Sequence, residues 1–122
     1  MKKTNEEYSM LYDFYGALLS DRQREVFELY NEENLSLSEI GANIGVSRQA
    51  VHIALTKAGE ELEEYEEKLG LVAKHASYLK VQDEIDRKTD EILKDKSRMA
   101  YIDADAAKTL RRIKKLVKEL DL

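Results

Sequence analysis

The sequence predicts an all-α protein, and three observations carry that prediction. Charged residues make up 37% of the chain, with no proline and 5 glycines to interrupt a helix, and Leu, Glu, Lys, Ala and Ile are good to moderate helix formers. Apolar residues recur at spacings of three and four through most of its length. Serine or aspartate stands where new helices need a cap, twice with Gln or Glu three residues later.

The first helix is read from Tyr8, Leu11, Tyr12, Tyr15, Leu18 and Leu19, which share one face. Ser20 with Gln23 forms a capping box that opens a second helix running to about Glu33, with Val26, Phe27, Leu29 and Tyr30 on its apolar side. Ser36 with Glu39 opens a short third helix over Leu37, Ile40 and Ile44, and Gly45 stops it where a left-handed residue is needed. Ser47 caps the fourth. From there a four-three seam runs through Val51, Leu55, Ala58, Leu62, Tyr65, Leu69, Val72, Ala76 and Leu79. Gly70 predicts a break in that seam, after which a fifth helix extends from about Leu71 to about Leu93. The polar stretch KDKSRM ends the periodicity. Asp103 then caps a last helix with Ala106, Leu110, Ile113, Val117 and Leu120 inward.

Composition excludes several functions. With no cysteine there is neither disulfide, thiol catalyst nor Cys-ligated zinc. The histidines, His52 and His75, lack a local ligand pattern, so no metal site is expected. No Gly-rich loop precedes a Lys-Ser or Lys-Thr pair, which excludes a phosphate cradle of the nucleotide-binding kind. No cofactor and no catalysis are expected. Glu6, Glu7 and Asp13 stand where a signal peptide needs an apolar run, and no window approaches the ~20 apolar residues of a membrane span. The chain is therefore expected in the cytoplasm, without integral membrane association.

Charge is unevenly placed. The total is −5, but residues 1–59 hold 6 basic and 9 acidic side chains, 60–70 hold 1 and 6, 71–97 hold 6 and 6, and 98–122 hold 7 and 4. A net acidic chain does not coat nucleic acid unspecifically, so any such site must be local.

The most informative stretch lies between Leu37 and Lys57. A short helix, a tight turn containing Gly45 and a new helix begun by Ser47 make the signature of a helix-turn-helix. Leu37, Ile40, Ile44, Val46, Val51 and Leu55 should be internal, with Gly41 and Ala42 small enough for close approach. What remains on the outer face is Arg48, Gln49, His52, Ile53, Thr56 and Lys57. In a major groove Arg bonds guanine bidentately and Gln bonds adenine, while Ser47 and the helix N-terminus can hold a phosphate. The motif is also a packing solution, so the same face could be a solvated surface or a protein contact.

The segments QREVFELY, LSLSEI and GVSRQAV resemble region four of bacterial sigma factors. The continuation ALTKAGEELEEYEEKLGL, preceded by YDFYGALLSDRQREVFELY, is similar to the YlxM family of small bacterial helix-turn-helix proteins. The resemblance covers about the first 75 residues well and the later helices only in general character. It implies a sigma-region-four-like domain, a regulatory role, and a link to the signal recognition particle pathway that rests on gene neighbourhood.

Two domains are expected, a helix-turn-helix domain over 1–70 and a helical extension over 71–122. Tyr8, Tyr12, Tyr15 and Tyr30 are read as core and the glutamates of 60–67 as a solvated face. Arg111, Arg112, Lys114, Lys115 and Lys118 form a second basic face that could meet the acidic run, RNA phosphates or an anionic membrane surface. The two apolar seams offer more helix face than a small domain covers, which predicts a homodimer held by the C-terminal half, or else the last helix folded back within one chain. The expected protein is a non-enzymatic DNA- or RNA-binding regulatory or accessory protein, with signal recognition particle components as the further partners that the resemblance implies. The alternative is an interaction module whose face binds a targeting GTPase or RNA polymerase.

Overall fold

The computed structural model describes residues 2–120, and every regular element among them is helical. The chain divides between Val72 and Ala73 into two compact units.

In the N-terminal unit, α1 (Asn5–Tyr15) opens with a capping box in which the Glu7 N–H donates to Thr4 Oγ1 (3.2 Å) and the Thr4 N–H to Glu7 Oε2 (3.0 Å). It closes at Tyr15 into a 3-10 turn, Gly16–Leu18, so the expected continuation of its apolar face fails. Leu18 is 57% exposed, while Leu19 is buried. Ser20 and Gln23 cap α2 (Asp21–Phe27) reciprocally, and a π-helical turn, Glu28–Glu32, extends it. Ser36 and Glu39 do the same for α3 (Leu37–Ile44), and Gly45 ends it at φ 77°. The Ser47 hydroxyl accepts the Ala50 N–H at 3.0 Å to start α4 (Arg48–Leu69), which stops at Gly70, φ 63°. Both glycines sit where a Cβ would strain the backbone.

Helices α1, α2 and α3 all pack on α4. The core between them holds Tyr8, Tyr15, Val26, Phe27, Ile40, Val51 and Leu62 with at most 1% exposure, each side chain of this size contributing ~1.5–3 kcal/mol of apolar burial. Tyr12 stacks on Phe27 with ring centroids 4.7 Å apart. The seam is therefore buried along Val51, Leu55, Ala58 and Leu62, but Leu69 and Leu79 are exposed.

The acidic run is only partly solvated. Tyr8 donates its hydroxyl to Glu63 (2.7 Å), Tyr15 donates to Glu66 (2.6 Å), and Tyr12 donates to Glu28. The Tyr15 oxygen also accepts the Leu71 N–H and Glu66 the Val72 N–H, both at 3.0 Å, so this pair satisfies donors that a helix start leaves unpaired. Burial first, then the hydrogen bond to a glutamate, pushes the ionisation of all three phenols above the usual tyrosine value.

Helix α5 (Leu71–Leu93) starts directly after Gly70. Within the C-terminal unit, Asp95 caps a one-turn helix, α6 (Lys96–Met99), inside the stretch read as merely polar. Asp103 caps α7 (Ala104–Glu119), its carboxylate accepting the Ala106 N–H at 2.7 Å. Here the register differs from the expected one: Ala107 and Val117 are buried and Leu110 half-buried, whereas Ala106, Ile113 and Leu120 are exposed. Lys114 takes the intervening inward position, its ammonium 3.0 Å from Asp86 and 2.5 Å from Asp90 on α5. Gln82 of α5 donates to the Val117 carbonyl at 2.7 Å. The last helix thus folds against α5 of its own chain.

Candidate nucleic-acid interface

The turn between α3 and α4 is fixed by backbone geometry. The N–H groups of Gly45 and Val46 both donate to the Gly41 carbonyl at 2.9 Å, and a Cβ on Gly41 would stand 2.7 Å from the Val46 carbonyl oxygen. Gly41 alone makes the close approach. Ala42, expected to share that role, is exposed. Of the side chains expected inside, Ile40, Val51 and Leu55 are buried and Leu37, Ile44 and Val46 pack half-buried against them.

With one flank of α4 buried, its first turns present the opposite arc. Arg48, Gln49, His52, Ile53 and Lys57 are exposed and Thr56 is half-buried. At about 100° per residue, Gln49 and Ile53 point most directly outward, His52 and Thr56 lie toward the α1 side, Arg48 lies beyond His52 at the edge of the buried flank, and Lys57 lies on the other side of the arc. The hydroxyl oxygen of Ser47 is taken by the Ala50 N–H, which leaves its proton free to donate. Ile53, 59% exposed, is the one large aliphatic group on this arc.

Electrostatics mark where the face ends. Residues 40–59 contain no acidic side chain, a stretch of 20 residues, and the next outward positions of α4 are Glu60 and Glu64. Glu64 is paired with Lys68 at 2.7 Å, which holds its carboxylate below and the ammonium above their ordinary values. Only the first three turns of α4 can therefore approach a polyanion without repulsion.

The second basic face is less uniform than the sequence suggests. Arg111, Arg112, Lys115 and Lys118 are exposed on α7. Lys114 is not part of that surface: its hydrogen bonds to Asp90 first and Asp86 second raise its ionisation, and they hold Asp90 below the usual carboxylate range. Reading the sequence also missed Lys3, Asn5 and Tyr30, which share a recess with His52 and Thr56. No local signal could find them, because they come from separate segments.

Comparison with known proteins gives a consistent result. Residues 1–102 match the model of UPF0122, a family described as "Putative helix-turn-helix protein, YlxM / p13 like". A UPF0122 protein of Thermoanaerobacter sp. (strain X514) is 42% identical, over 93% of this chain and 93% of its own. One from Geobacillus kaustophilus is 42% identical over 87% and 90%, and one from Listeria innocua is 31% identical over 94% and 97%.

Proposed function

For a chain that belongs to the UPF0122 family of YlxM/p13-like helix-turn-helix proteins, we propose a non-enzymatic role as a nucleic-acid-binding regulatory or accessory protein. Its contact face is the start of α4: Arg48, Gln49 and Ile53 toward base edges, with Ser47, His52, Thr56 and Lys57 toward the backbone. The observation that carries this reading is the acid-free stretch of 40–59, which spans the helix-turn-helix turn and presents donors outward from the start of α4. Recognition helices read bases with their N-terminal residues, which is the part of α4 that Glu60 leaves unopposed.

The test is binding of the full chain to labelled duplex DNA and to a structured RNA hairpin across a range of salt. Log K should fall linearly with log salt, Arg48→Ala should cost ~1–3 kcal/mol, and Lys57→Ala should weaken all sequences alike with a slope about one unit smaller. Absence of binding to both, or a flat salt response, contradicts the proposal.

Ile53 favours one second reading, in which the same face docks a protein such as a component of the targeting machinery or RNA polymerase. A salt-insensitive complex lost on Ile53→Asp would select it. Tyr78 and Val81, 52% and 54% exposed with Ile85 continuing the four-three spacing on α5, support a homodimer; sedimentation equilibrium of the full chain should give the mass of two chains, and the mass of one removes the dimer. Among the described residues no helix is long and apolar enough to cross a membrane.

A further inference from the structure

Beside the outward face of α4, the N-terminal unit holds a recess of about 290 Å³. Its rim is Lys3 ahead of α1, Asn5 in the first turn of α1, Tyr30 in the π-helical turn, and His52 and Thr56 one turn apart on α4. Leu37 and Leu55 form its floor.

Its chemistry differs from that of four other cavities in the chain. Each of those has carboxylates in its wall: Glu60 and Glu63 in one, Glu6, Glu7 and Glu66 in the next, Asp83 and Asp86 in a third, Asp90, Glu91 and Asp95 in the fourth. This one has none. Its polar groups are also uncommitted. The tyrosines of α1 hand their hydroxyls to glutamates, and Thr89 and Thr109 return theirs to carbonyls of their own helices. The hydroxyls of Tyr30 and Thr56 do neither, and among the described residues the side chains of Lys3, Asn5 and His52 have no hydrogen bond or ion pair. The backbone on either side of Lys3 is nevertheless anchored. The Lys2 N–H donates to the Tyr8 hydroxyl at 3.0 Å on one side, and Thr4 closes the α1 capping box on the other.

One ammonium, one imidazole, one amide and two hydroxyls around a wall without carboxylates form a donor set for a tetrahedral oxyanion. We infer that this recess seats a phosphate group. On the nucleic-acid reading of α4, on which this second step rests, the group is a backbone phosphodiester, so His52 and Thr56 hold the strand while Arg48, Gln49 and Ile53 reach the bases. Such a division fits the general rule that phosphate contacts position and base contacts specify.

The experiment uses the full chain, ¹⁵N-labelled, titrated with inorganic phosphate, with dimethyl phosphate, and with chloride at matched ionic strength. Amides of Lys3, Asn5, His52 and Thr56 should shift saturably with both phosphates and stay still with chloride. Lys3→Gln and Thr56→Val, each confirmed folded by its melting curve, should weaken phosphate binding about tenfold, while Lys80→Gln, a charge loss elsewhere, should not. The same two variants should weaken duplex DNA binding, with the salt slope reduced by about one unit for Lys3→Gln. Phosphate binding that both variants weaken, in a chain that binds no nucleic acid, keeps the recess as a site for free phosphate or a phosphomonoester while the reading of α4 falls. Amides that stay still throughout, with both variants binding DNA like the wild type, overturn the recess and leave that reading standing.

Discussion

Both halves of the chain are helices with apolar residues at four-three spacing, yet they are held together differently. The N-terminal unit closes around eleven buried apolar residues drawn from every one of its helices. Among the described residues of the C-terminal unit the buried ones are Thr89, Ala107 and Val117, and α5 is tied to α7 by Lys114 between two aspartates and by Gln82 on a carbonyl. Periodicity specifies that a helix forms and which face is apolar; it does not specify that an apolar partner covers that face. Lys114 shows this directly, because its stem occupies a seam position while its charge is paired.

The contrast can be broken most sharply by truncating one buried side chain in each unit. Leu62→Ala should cost ~2–5 kcal/mol, and Val117→Ala no more than about 1.5 kcal/mol, read from denaturant unfolding of the full chain. Equal losses would mean that the C-terminal unit has a core of its own. The helix-turn-helix turn comes next: Gly41→Ala drives a Cβ against backbone and should cost ~1–3 kcal/mol, and Gly45→Val, with open space around it, should cost ~1–2 kcal/mol from conformation alone. A Gly45→Val protein melting like the wild type would show that the positive φ is not enforced.

Tyr15→Phe should be milder, about 1 kcal/mol, since Glu66 keeps its bond from Val72. The raised ionisation of Tyr8, Tyr12 and Tyr15 adds a pH prediction for the N-terminal unit. Their contribution is fully present below the ordinary tyrosine value of about 10 and is lost as the pH climbs through the higher folded values, so unfolding should set in on the alkaline side. Tyr15→Phe should lessen that alkaline sensitivity.

The smallest effect belongs to the C-terminal unit. The contribution of Asp90 is present above the ordinary carboxylate range and lost as the pH falls through its lowered folded value, below about 4. That of Lys114 is lost only as the pH rises past its raised value, above about 10.4. Protection of the α7 amides, taken relative to the intrinsic exchange rate at each pH, should therefore fall in acid and in high salt, and Lys114→Gln should bring the same loss of protection to neutral pH. Exchange indifferent to Lys114→Gln would mean that apolar contacts hold α7.

Local chemistry was legible in the sequence and long-range chemistry was not. Ser20 with Gln23, Ser36 with Glu39, Ser47, Asp103, Gly45 and Gly70 fix helix ends through neighbours within four residues, and all act as read. Leu18 lies outside because a 3-10 turn rotates the chain out of the α period, and Ala106, Ile113 and Leu120 because the inward face of α7, through Ala107, Leu110, Lys114 and Val117, is turned by a fraction of the ~100° residue step from the expected stripe. The tyrosine-to-glutamate bonds of Tyr8 and Tyr15 span 55 and 51 residues, beyond any spacing rule. The outward set on α4 followed from its helical phase, whereas the recess beside it draws on separate segments that only the tertiary fold brings together.

The claim that the first turns of α4 carry the function, rather than the basic face of α7, is tested most directly by mapping amide shifts of the full chain during titration with a DNA duplex and with an RNA hairpin. Saturable, salt-dependent shifts should concentrate at Ser47, Arg48, Gln49, His52, Ile53, Thr56 and Lys57. Shifts concentrated instead at Arg111, Arg112, Lys115 and Lys118, or none with either nucleic acid, would contradict it.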